Sequence, residues 1–313
     1  MDLLDLQAFE LIRSDGSIRL SILYHPQETH LGQAHLRMMH TTQPITRASM
    51  VMAMTDSTAM ERVQASPWIV SVYQACGLSM FSELMKGGTL TTRLMVRPSG
   101  RRVKYFPMER LRYALQVSRA LADIHAAQVA HLDIQPKNIM LDKDDGNGQI
   151  YLNDFNLARL SDTRTARVTN TSMETNFHQD MRQLGKLLYT IRTGRLLNKD
   201  LNGFWKDTGQ STTANEQNNN TTTSHWNVRL RQLNFSNLEE GKTSHKATLA
   251  LSTLEWAIST CLQPVDPANR PTSQQLWRGF ESVYEEIRNH ANTRSLADIR
   301  QRFESGLQSL QHS

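Results

Sequence analysis

Residues 131–141 read HLDIQPKNIML, and residues 151–156 read YLNDFN. Both runs combine apolar residues typical of buried strands with side chains that carry oxygen. These side chains are Asp133, Asn138 and Asp154, and all three are of types that serve magnesium-dependent phosphoryl chemistry. The alternative is an ordinary pair of core strands in which Asp and Asn only cap turns.

A hairpin is predicted between the two runs. Residues 144–148 read DDGNG, which is the turn chemistry that joins antiparallel strands. We therefore predict paired strands over residues 139–141 and 149–152. This pairing would bring Asp154 back beside Asn138.

The pattern resembles the catalytic loop, H-R-D-L-K-x-x-N, and the metal-binding loop, D-F-G, of the protein kinase family. The resemblance implies an α+β, bilobal protein kinase-like fold, with a small β-rich N-lobe that lacks the Gly-rich loop and a larger, mainly helical C-lobe. It implies that Asp133 accepts the hydrogen of the substrate hydroxyl, while Asn138 and Asp154 hold the Mg²⁺ that bridges the phosphates of ATP. His131 and Phe155 occupy the His and Phe places of the two motifs and are implied to have structural or regulatory roles.

Three positions depart from these motifs. Leu132 stands where most of the family has arginine, Gln135 where Ser/Thr kinases have a lysine, and Asn156 where the metal loop has glycine. None of them removes a metal ligand. We expect Asn156 to replace glycine at modest cost, because Asn tolerates left-handed backbone. Losing the charge at position 135 is more serious, since removing one comparable donor costs roughly 10²–10³ in rate in other enzymes.

The region before the catalytic loop is predicted to contain two strands and a helix. Residues 7–12 and 17–24 have strand patterns, and residues 46–65 have a helical pattern. By resemblance to the regulatory helix of kinases, this helix carries an ion-pairing acid. We assign that acid to Asp56 rather than Glu61, because the residue one turn after Asp56 would then point at the metal loop.

The basic partner of that acid is missing from the expected place. The resemblance puts a lysine on the second predicted strand, yet no lysine occurs between Met1 and Met85. Arg19 is the only basic residue on that strand, and Ser21 or a neighbour is expected at the usual lysine position. Arginine is not equivalent to a point-charge ammonium, and no G-x-G-x-x-G loop is present either. Both absences argue against ordinary kinase activity.

Residues 83–90, ELMKGGTL, resemble the hinge between kinase lobes. The resemblance implies that backbone groups of Glu83 and Met85 bind the adenine edge of ATP. The apolar spacing over residues 108–128 predicts a helix that leads into the catalytic loop. We interpret His125 on this helix as structural.

Two downstream segments also resemble the family. Residues 180–188, DMRQLGKLL, resemble the buried helix in which Asp180 is implied to bind the backbone of the catalytic loop. Residues 266–272, DPANRPT, resemble the R-P-T signature, whose Arg270 normally pairs with the glutamate of an A-P-E motif. No A-P-E occurs here, and Glu174 is the nearest candidate. We therefore expect a shortened ledge for a peptide substrate.

The segment between the metal loop and the buried helix is predicted to be a polar loop. Residues 157–175 are rich in hydroxyl groups and correspond to the activation segment of kinases. Phosphorylation there would add negative charge, and basic residues that bind this charge could order the loop. The usual phosphate receptor includes the arginine that is Leu132 here, so switching through this loop is the less favoured interpretation.

The composition agrees with one kinase-type domain. The chain has 313 residues and a net charge of +5 that is spread along the sequence, which indicates a basic surface without nucleic-acid binding. Cys76 and Cys261 are predicted to be reduced thiols in the cytoplasm. The absence of a signal peptide and of a long apolar run predicts no membrane span in this chain.

Four regions are expected. Residues 1–84 form a truncated N-lobe and residues 85–288 form the C-lobe. A polar insertion covers about residues 205–245. Residues 289–313 form a C-terminal amphipathic helix or tail that packs on its own lobe, with a partner or a membrane surface as the alternative.

Three functions fit these residues. The first is a protein kinase that binds ATP and Mg²⁺ and transfers the γ-phosphate, weakly, to Ser or Thr of an unidentified protein substrate. The second is a pseudokinase that serves as a nucleotide-binding or scaffolding module. The third is a small-molecule kinase, since H-x-D-x-x-x-x-N also occurs there, although D-F-N and R-P-T argue against it.

Overall fold

The computed structural model describes ten segments of the chain. These are residues 9–14, 19–24, 34–39, 46–76, 79–94, 106–161, 170–199, 205–207, 244–262 and 269–309. Within them the protein is a mixture of helices and antiparallel sheet. Most of the buried apolar side chains form one continuous core that includes both.

A five-stranded antiparallel sheet precedes the catalytic loop. Its strands are in the order β1-β2-β3-β5-β4, with bounds β1 Phe9–Ser14, β2 Arg19–Tyr24, β3 Ala34–Met39, β4 Val72–Cys76 and β5 Ser79–Glu83. The predicted strands over 7–12 and 17–24 correspond to β1 and β2. The sequence analysis missed β3, which lies between β2 and β5 and is the strand that leads to the following helix.

The position of β3 corrects the assignment of the basic residue. Arg19 and Ser21 both lie on β2. In the protein kinases that the sequence resembles, the lysine is on the third strand. Here β3 carries Arg37, directly opposite Ser21 on one side and Met80 on the other, a basic residue that the sequence analysis overlooked.

Helix α1, Arg47–Val63, follows β3 and confirms the predicted helix. A capping box fixes its first turn, because Thr46 accepts the backbone N–H of Ser49 while Ser49 accepts that of Thr46. After α1, the Val70 N–H donates to the Leu152 carbonyl at 3.1 Å, and the Leu152 N–H donates to the Trp68 carbonyl at 2.8 Å. These bonds join the sheet region to the strand that leads into the metal loop.

The predicted hairpin is confirmed. Strand β8, Ile139–Leu141, pairs antiparallel with β9, Ile150–Leu152, and β6, Gly88–Thr89, pairs with the other edge of β8. Four short strands complete the described set. Strand β7, Val129–Ala130, pairs with β10, Arg159–Leu160, and β11, Leu197–Lys199, pairs with β12, Trp205–Asp207. The metal loop, which follows β9, therefore begins at the end of a paired strand.

The helical region is built around a long buried helix, α3 (Pro107–Ala126), which confirms the helix predicted over 108–128. Gly185 allows a close helix crossing, since a Cβ there would lie 2.7 Å from the Cβ of Cys261. Burial raises the pKa of the free Cys261 thiol to about 12, so this cysteine is a poor nucleophile. The helices after α1 are α2 Leu90–Leu94, α3 Pro107–Ala126, α4 Asn170–Thr193, α5 His245–Leu262, α6 Ser273–His290 and α7 Leu296–Gln308.

The predicted amphipathic helix at the C-terminal end is α7, and it packs against α6. Ile299 and Phe303 are fully buried. Gly306 lets the two backbones meet, because a Cβ there would lie 2.8 Å from the Cα of Gly279. The interpretation that this helix covers its own domain is therefore confirmed for the described residues.

Two predictions fall largely outside the described residues. Only the two ends of the polar insertion, including β12, belong to the described segments. In the activation segment, residues 162–169 are not described, while α4 already begins at Asn170, so the end of the segment predicted to be a loop is helical.

Among the described helices, none has the length and apolar character needed to cross a membrane.

Candidate active site

The catalytic loop forms a network around the Asp133 carboxylate. The Gln135 amide donates to Asp133 Oδ1, and the Asn138 amide donates to Asp133 Oδ2 at 2.8 Å and to the Asp133 carbonyl at 2.9 Å. Residues Pro136–Asn138 form a 3₁₀ turn that is closed by the Asn138 N–H on the Gln135 carbonyl. The Asp133 side chain is 21% exposed, so it is held in place and still reachable from solvent.

Asn138 and Asp154 are brought together by the hairpin. The Asn153 N–H donates to the Asn138 carbonyl at 3.0 Å, which places Asp154 one residue beyond this contact. Asp154 has a φ of 68°, a left-handed conformation that is uncommon for a residue other than glycine. The sequence analysis expected such backbone at Asn156, but among the described residues of this loop it occurs at Asp154. Strain of this kind concentrates at functional sites.

The donor set of this pair fits Mg²⁺. Both contacts of the Asn138 amide nitrogen go to Asp133, so its amide oxygen is the atom that remains for a ligand. Mg²⁺ is commonly bound through one or two carboxylates together with substrate phosphates and water. Within the described segments, no group of three or more His, Cys, Asp or Glu side chains could hold a metal ion by itself. A magnesium site at Asn138 and Asp154 therefore needs the nucleotide phosphates to complete it.

Two side chains of α4 fix the backbone of the catalytic loop. Asp180, which is completely buried, accepts the backbone N–H groups of His131 and Leu132, each at 2.7 Å. Gln183 accepts the Ile134 N–H at 2.8 Å and donates to the Leu132 carbonyl at 2.7 Å. Leu132 itself has a φ of 63°. The four hydrogen bonds hold this residue in a conformation that leucine rarely adopts.

A buried stack connects the catalytic and metal loops to α1. The rings of His131 and Phe155 lie with centroids 4.6 Å apart, and both side chains are fully buried. Asp56 of α1 accepts the backbone N–H of Phe155 at 2.7 Å, whereas Glu61 is exposed. Met60, one turn after Asp56, is also fully buried. Helix α1 therefore contributes a carboxylate to the backbone of the metal loop.

The hinge segment is anchored on both sides. The Glu83 N–H donates to the Ser71 carbonyl at 2.9 Å, and the Gly87 N–H donates to the Leu141 carbonyl at 2.9 Å. Met85 lies between these anchors with a buried side chain. Within the described part of the chain, no backbone carbonyl accepts the Met85 N–H. The backbone between the anchors is thus able to bind the edge of a planar heterocycle.

Comparison with known proteins identifies the family. A family model described as the protein kinase domain matches residues 42–279, well over half of the 313 residues. The chain belongs to the protein kinase family. The match begins just before α1, so the first three strands precede it.

Three curated relatives are similar to parts of this kinase-family chain. CBL-interacting protein kinase 4 of Oryza sativa subsp. japonica is 41% identical over 81 residues, which are 26% of this chain and 16% of that protein. A probable serine/threonine-protein kinase of Streptomyces coelicolor is 32% identical over 129 residues, 36% of this chain and 18% of that protein. The cAMP-dependent protein kinase type 3 of Saccharomyces cerevisiae is 24% identical over 159 residues, 49% of this chain and 38% of that protein. The chain spans less than two fifths of the length of each.

The sequence analysis missed two residues, and the family match accounts for neither. Residues 34–37, which lie before the match begins at residue 42, read AHLR, a run similar to the family's V-A-I-K with Arg37 in place of the lysine. The AHLR similarity was the available signal. Gln183 had no comparable signal, because its two bonds to the catalytic loop depend on how α4 packs beneath it.

The expected partner of Arg270 is not Glu174. In the described contacts, the exposed Glu174 side chain lies 3.8 Å from His178, four residues later on α4. The Arg270 side chain is partly buried, at the start of the segment that leads into α6.

His125 is buried and bridges Asp180 to Ser273, with bonds of 3.1 Å and 2.9 Å, which agrees with its structural interpretation.

Burial lowers the pKa of His131 below its ordinary value of 6.5. Its Nδ1 accepts the Asp133 N–H at 3.2 Å, so the proton of the neutral ring lies on Nε2, which donates to the Asn153 carbonyl at 3.2 Å. The folded state resists protonation, whereas the unfolded chain binds a proton below about pH 6.5. The contribution of His131 to the free energy of unfolding is therefore fully present above that pH. It is lost as the pH falls from there through the folded-state pKa.

We predict that His131→Phe flattens this acid dependence. The variant loses two hydrogen bonds and should be less stable than wild type near pH 7.5, by about 1–3 kcal/mol. Its melting temperature should then fall less than that of wild type between about pH 7.5 and about pH 5.5. The exposed His290 supplies the control, because His290→Phe should keep the wild-type slope. Equal slopes for all three proteins would contradict the prediction.

Proposed function

We propose that this protein is a two-lobed, ATP- and Mg²⁺-dependent protein kinase that transfers the γ-phosphate of ATP to a Ser or Thr hydroxyl of a protein substrate. In this proposal residues 1–84 form the small lobe, residues 85–288 the large lobe, and residues 289–313 a C-terminal extension. One observation supports it most directly. The Asn138 side chain holds the Asp133 carboxylate while its backbone carbonyl binds Asn153 next to Asp154.

Each polar group at the centre has one task in this proposal. Asp133 accepts the proton of the attacking hydroxyl, and its two oxygens are already oriented by Gln135 and Asn138. Asn138 and Asp154 would hold Mg²⁺. When bound, the ion neutralises charge on the phosphates and aligns the γ-phosphate with the hydroxyl. Asp180 acts through the loop backbone and is a positioning residue.

The remaining contacts to ATP are assigned by position. Backbone groups of Glu83 and Met85 bind the adenine edge. Arg37 takes the place of the lysine on the third strand, with Asp56 as the acid of α1.

Nucleotide binding without transfer is the second candidate. The missing G-x-G-x-x-G loop, the absence of lysine between Met1 and Met85, and the neutral Gln135 favour it. Both candidates predict magnesium-dependent ATP binding through Asn138 and Asp154. They differ in whether radiolabel from [γ-³²P]ATP appears on generic protein acceptors such as casein or histone.

A thermal-shift titration with ATP tests the shared prediction. With Mg²⁺ and ATP at about 100 times the dissociation constant, wild type should gain roughly 2.7 kcal/mol, or about 5–10 °C. Without Mg²⁺ the shift should be largely lost, and Asp154→Ala should lose it even with Mg²⁺. Asp145→Ala, an exposed carboxylate in the hairpin turn, should shift like wild type. If wild type shows no magnesium-dependent shift, both candidates fail.

A further inference from the structure

Gln183 of α4 bonds to the catalytic loop on both sides of the proposed base. Its amide oxygen accepts the Ile134 N–H at 2.8 Å, and its amide nitrogen donates to the Leu132 carbonyl at 2.7 Å. In the described part of the chain, neither of these two backbone groups pairs with another backbone group. Both groups therefore depend on the half-buried Gln183 side chain for a partner.

The two bonds restrain the backbone dihedral angles of Asp133. The Leu132 carbonyl belongs to the peptide group before Asp133, and the Ile134 N–H belongs to the peptide group after it. Because each peptide group is planar, the relative orientation of the two groups sets φ and ψ of Asp133. These angles decide the direction in which the Asp133 side chain leaves the loop.

Other side chains bond to one of these peptide groups only. His131 accepts the Asp133 N–H at 3.2 Å, and Asn138 donates to the Asp133 carbonyl at 2.9 Å. Among the described residues, Gln183 is the side chain that bonds to both peptide groups. It links the loop at Asp133 to a long helix, whereas His131 and Asn138 belong to the loop itself.

The sequence explains why an amide suits this place. Gln183 follows Asp180 by three residues, so both side chains lie on the same face of α4. The Asp180 carboxylate accepts two backbone N–H groups of the loop. The next contact presents one carbonyl and one N–H, and a primary amide offers both a donor and an acceptor.

We infer that Gln183 is a positioning residue for phosphoryl transfer and that it aligns the Asp133 carboxylate with the substrate hydroxyl. This inference rests on the proposed function. A general base must lie within hydrogen-bond reach of the proton that it removes, and a misplacement of about 1 Å can cost about 10²-fold in rate. Gln183 exchanges no proton. The hydroxyl proton goes to Asp133 while the hydroxyl oxygen bonds to the γ-phosphorus and ADP leaves.

The alternative role for Gln183 is structural support alone. Its loss would then lower the melting temperature, while the folded molecules would keep the wild-type kcat. A positioning role predicts a lower kcat in molecules that remain folded, with little change in nucleotide binding, because the lost alignment matters in the transition state. The two roles therefore differ at temperatures well below unfolding.

The test compares three variants of the full chain with wild type. Gln183→Met removes both bonds at similar side-chain volume, whereas Gln183→Glu keeps an acceptor for the Ile134 N–H and loses the donor at pH 7.5. Gln179→Met makes the first change at an exposed position of the same helix and is the matched control.

Transfer of radiolabel from [γ-³²P]ATP to casein is the first readout. We expect kcat to fall about 10–10²-fold in Gln183→Met, with an intermediate value in Gln183→Glu. The KM for casein and the calorimetric Kd for Mg²⁺-ATP should stay within about twofold of wild type. Gln179→Met should behave like wild type in every measurement.

Hydrogen exchange at the Ile134 amide, followed by NMR, is a readout that does not require turnover. Exchange should speed up about tenfold in Gln183→Met, because the amide loses its acceptor. It should remain slow in Gln183→Glu, whose carboxylate still accepts this N–H. Equal exchange in Gln183→Met and wild type would show that the bond is not made and would overturn the inference.

The kinetic outcomes separate this inference from the proposed function. A wild-type kcat in Gln183→Met overturns the positioning role while the proposed function stands. The same holds if kcat falls only in proportion to weaker binding of Mg²⁺-ATP. If wild type transfers no phosphate, the proposed function fails and this inference fails with it.

Discussion

Replacing Asp180 with alanine is expected to lower the free energy of unfolding by about 3–5 kcal/mol. The carboxylate is completely buried and accepts the N–H groups of His131 and Leu132, each at 2.7 Å. Alanine would leave both buried donors without an acceptor. An unsatisfied buried polar group costs roughly 1–3 kcal/mol, more when a charge is involved.

The conformation of Leu132 adds to this cost. Its φ of 63° is disfavoured for leucine and is maintained by contacts from Asp180 and Gln183. Without Asp180, the bridge from His125 to Ser273 also loses its acceptor at one end. The catalytic loop should then relax, and the orientation of Asp133 should be lost along with stability.

Urea unfolding followed by circular dichroism measures the change. Glu281→Ala is the matched control, because it removes a carboxylate from an exposed pair with Arg278 and should change stability by less than about 1 kcal/mol. Hydrogen exchange at the Leu132 amide should speed up in Asp180→Ala and remain slow in Glu281→Ala. A midpoint for Asp180→Ala within the error of wild type would refute this account of the buried carboxylate.

The parts that the sequence predicted well depend on neighbours along the chain. The hairpin of β8 and β9 follows from a short turn between two apolar runs, and α1 follows from a helical pattern with a capping residue at Thr46. The family resemblance rests on local motifs of the same kind, such as the run from His131 to Asn138. Such signals need no knowledge of how distant segments pack.

The parts that were missed depend on distant pairing. Strand β3 pairs with β5, more than forty residues later, and at six residues it is a short signal on its own. The two bonds from Gln183 to the catalytic loop cross about fifty residues. Likewise, the left-handed residue of the metal loop is Asp154. The expectation at Asn156 had come from the glycine that the resembled motif carries at that place.

The second large effect is expected for Asp133→Asn, which should reduce phosphoryl transfer by about 10²–10⁴-fold. An amide cannot accept the proton of the substrate hydroxyl. It also offers one acceptor oxygen where the carboxylate offers two, so Gln135 and Asn138 can no longer both be satisfied. The change therefore removes the base and loosens the side chain that would hold Mg²⁺.

Transfer from [γ-³²P]ATP to casein or histone measures this effect, and Asp145→Asn makes the same chemical change at an exposed position of the hairpin turn. The thermal shift with Mg²⁺-ATP separates the two consequences in Asp133→Asn. A shift that persists while transfer disappears indicates loss of the base alone, because Asn138 and Asp154 would still bind the nucleotide. Transfer in Asp133→Asn at the rate of Asp145→Asn would show that this carboxylate is not the base, since no other acidic side chain in residues 131–138 could replace it.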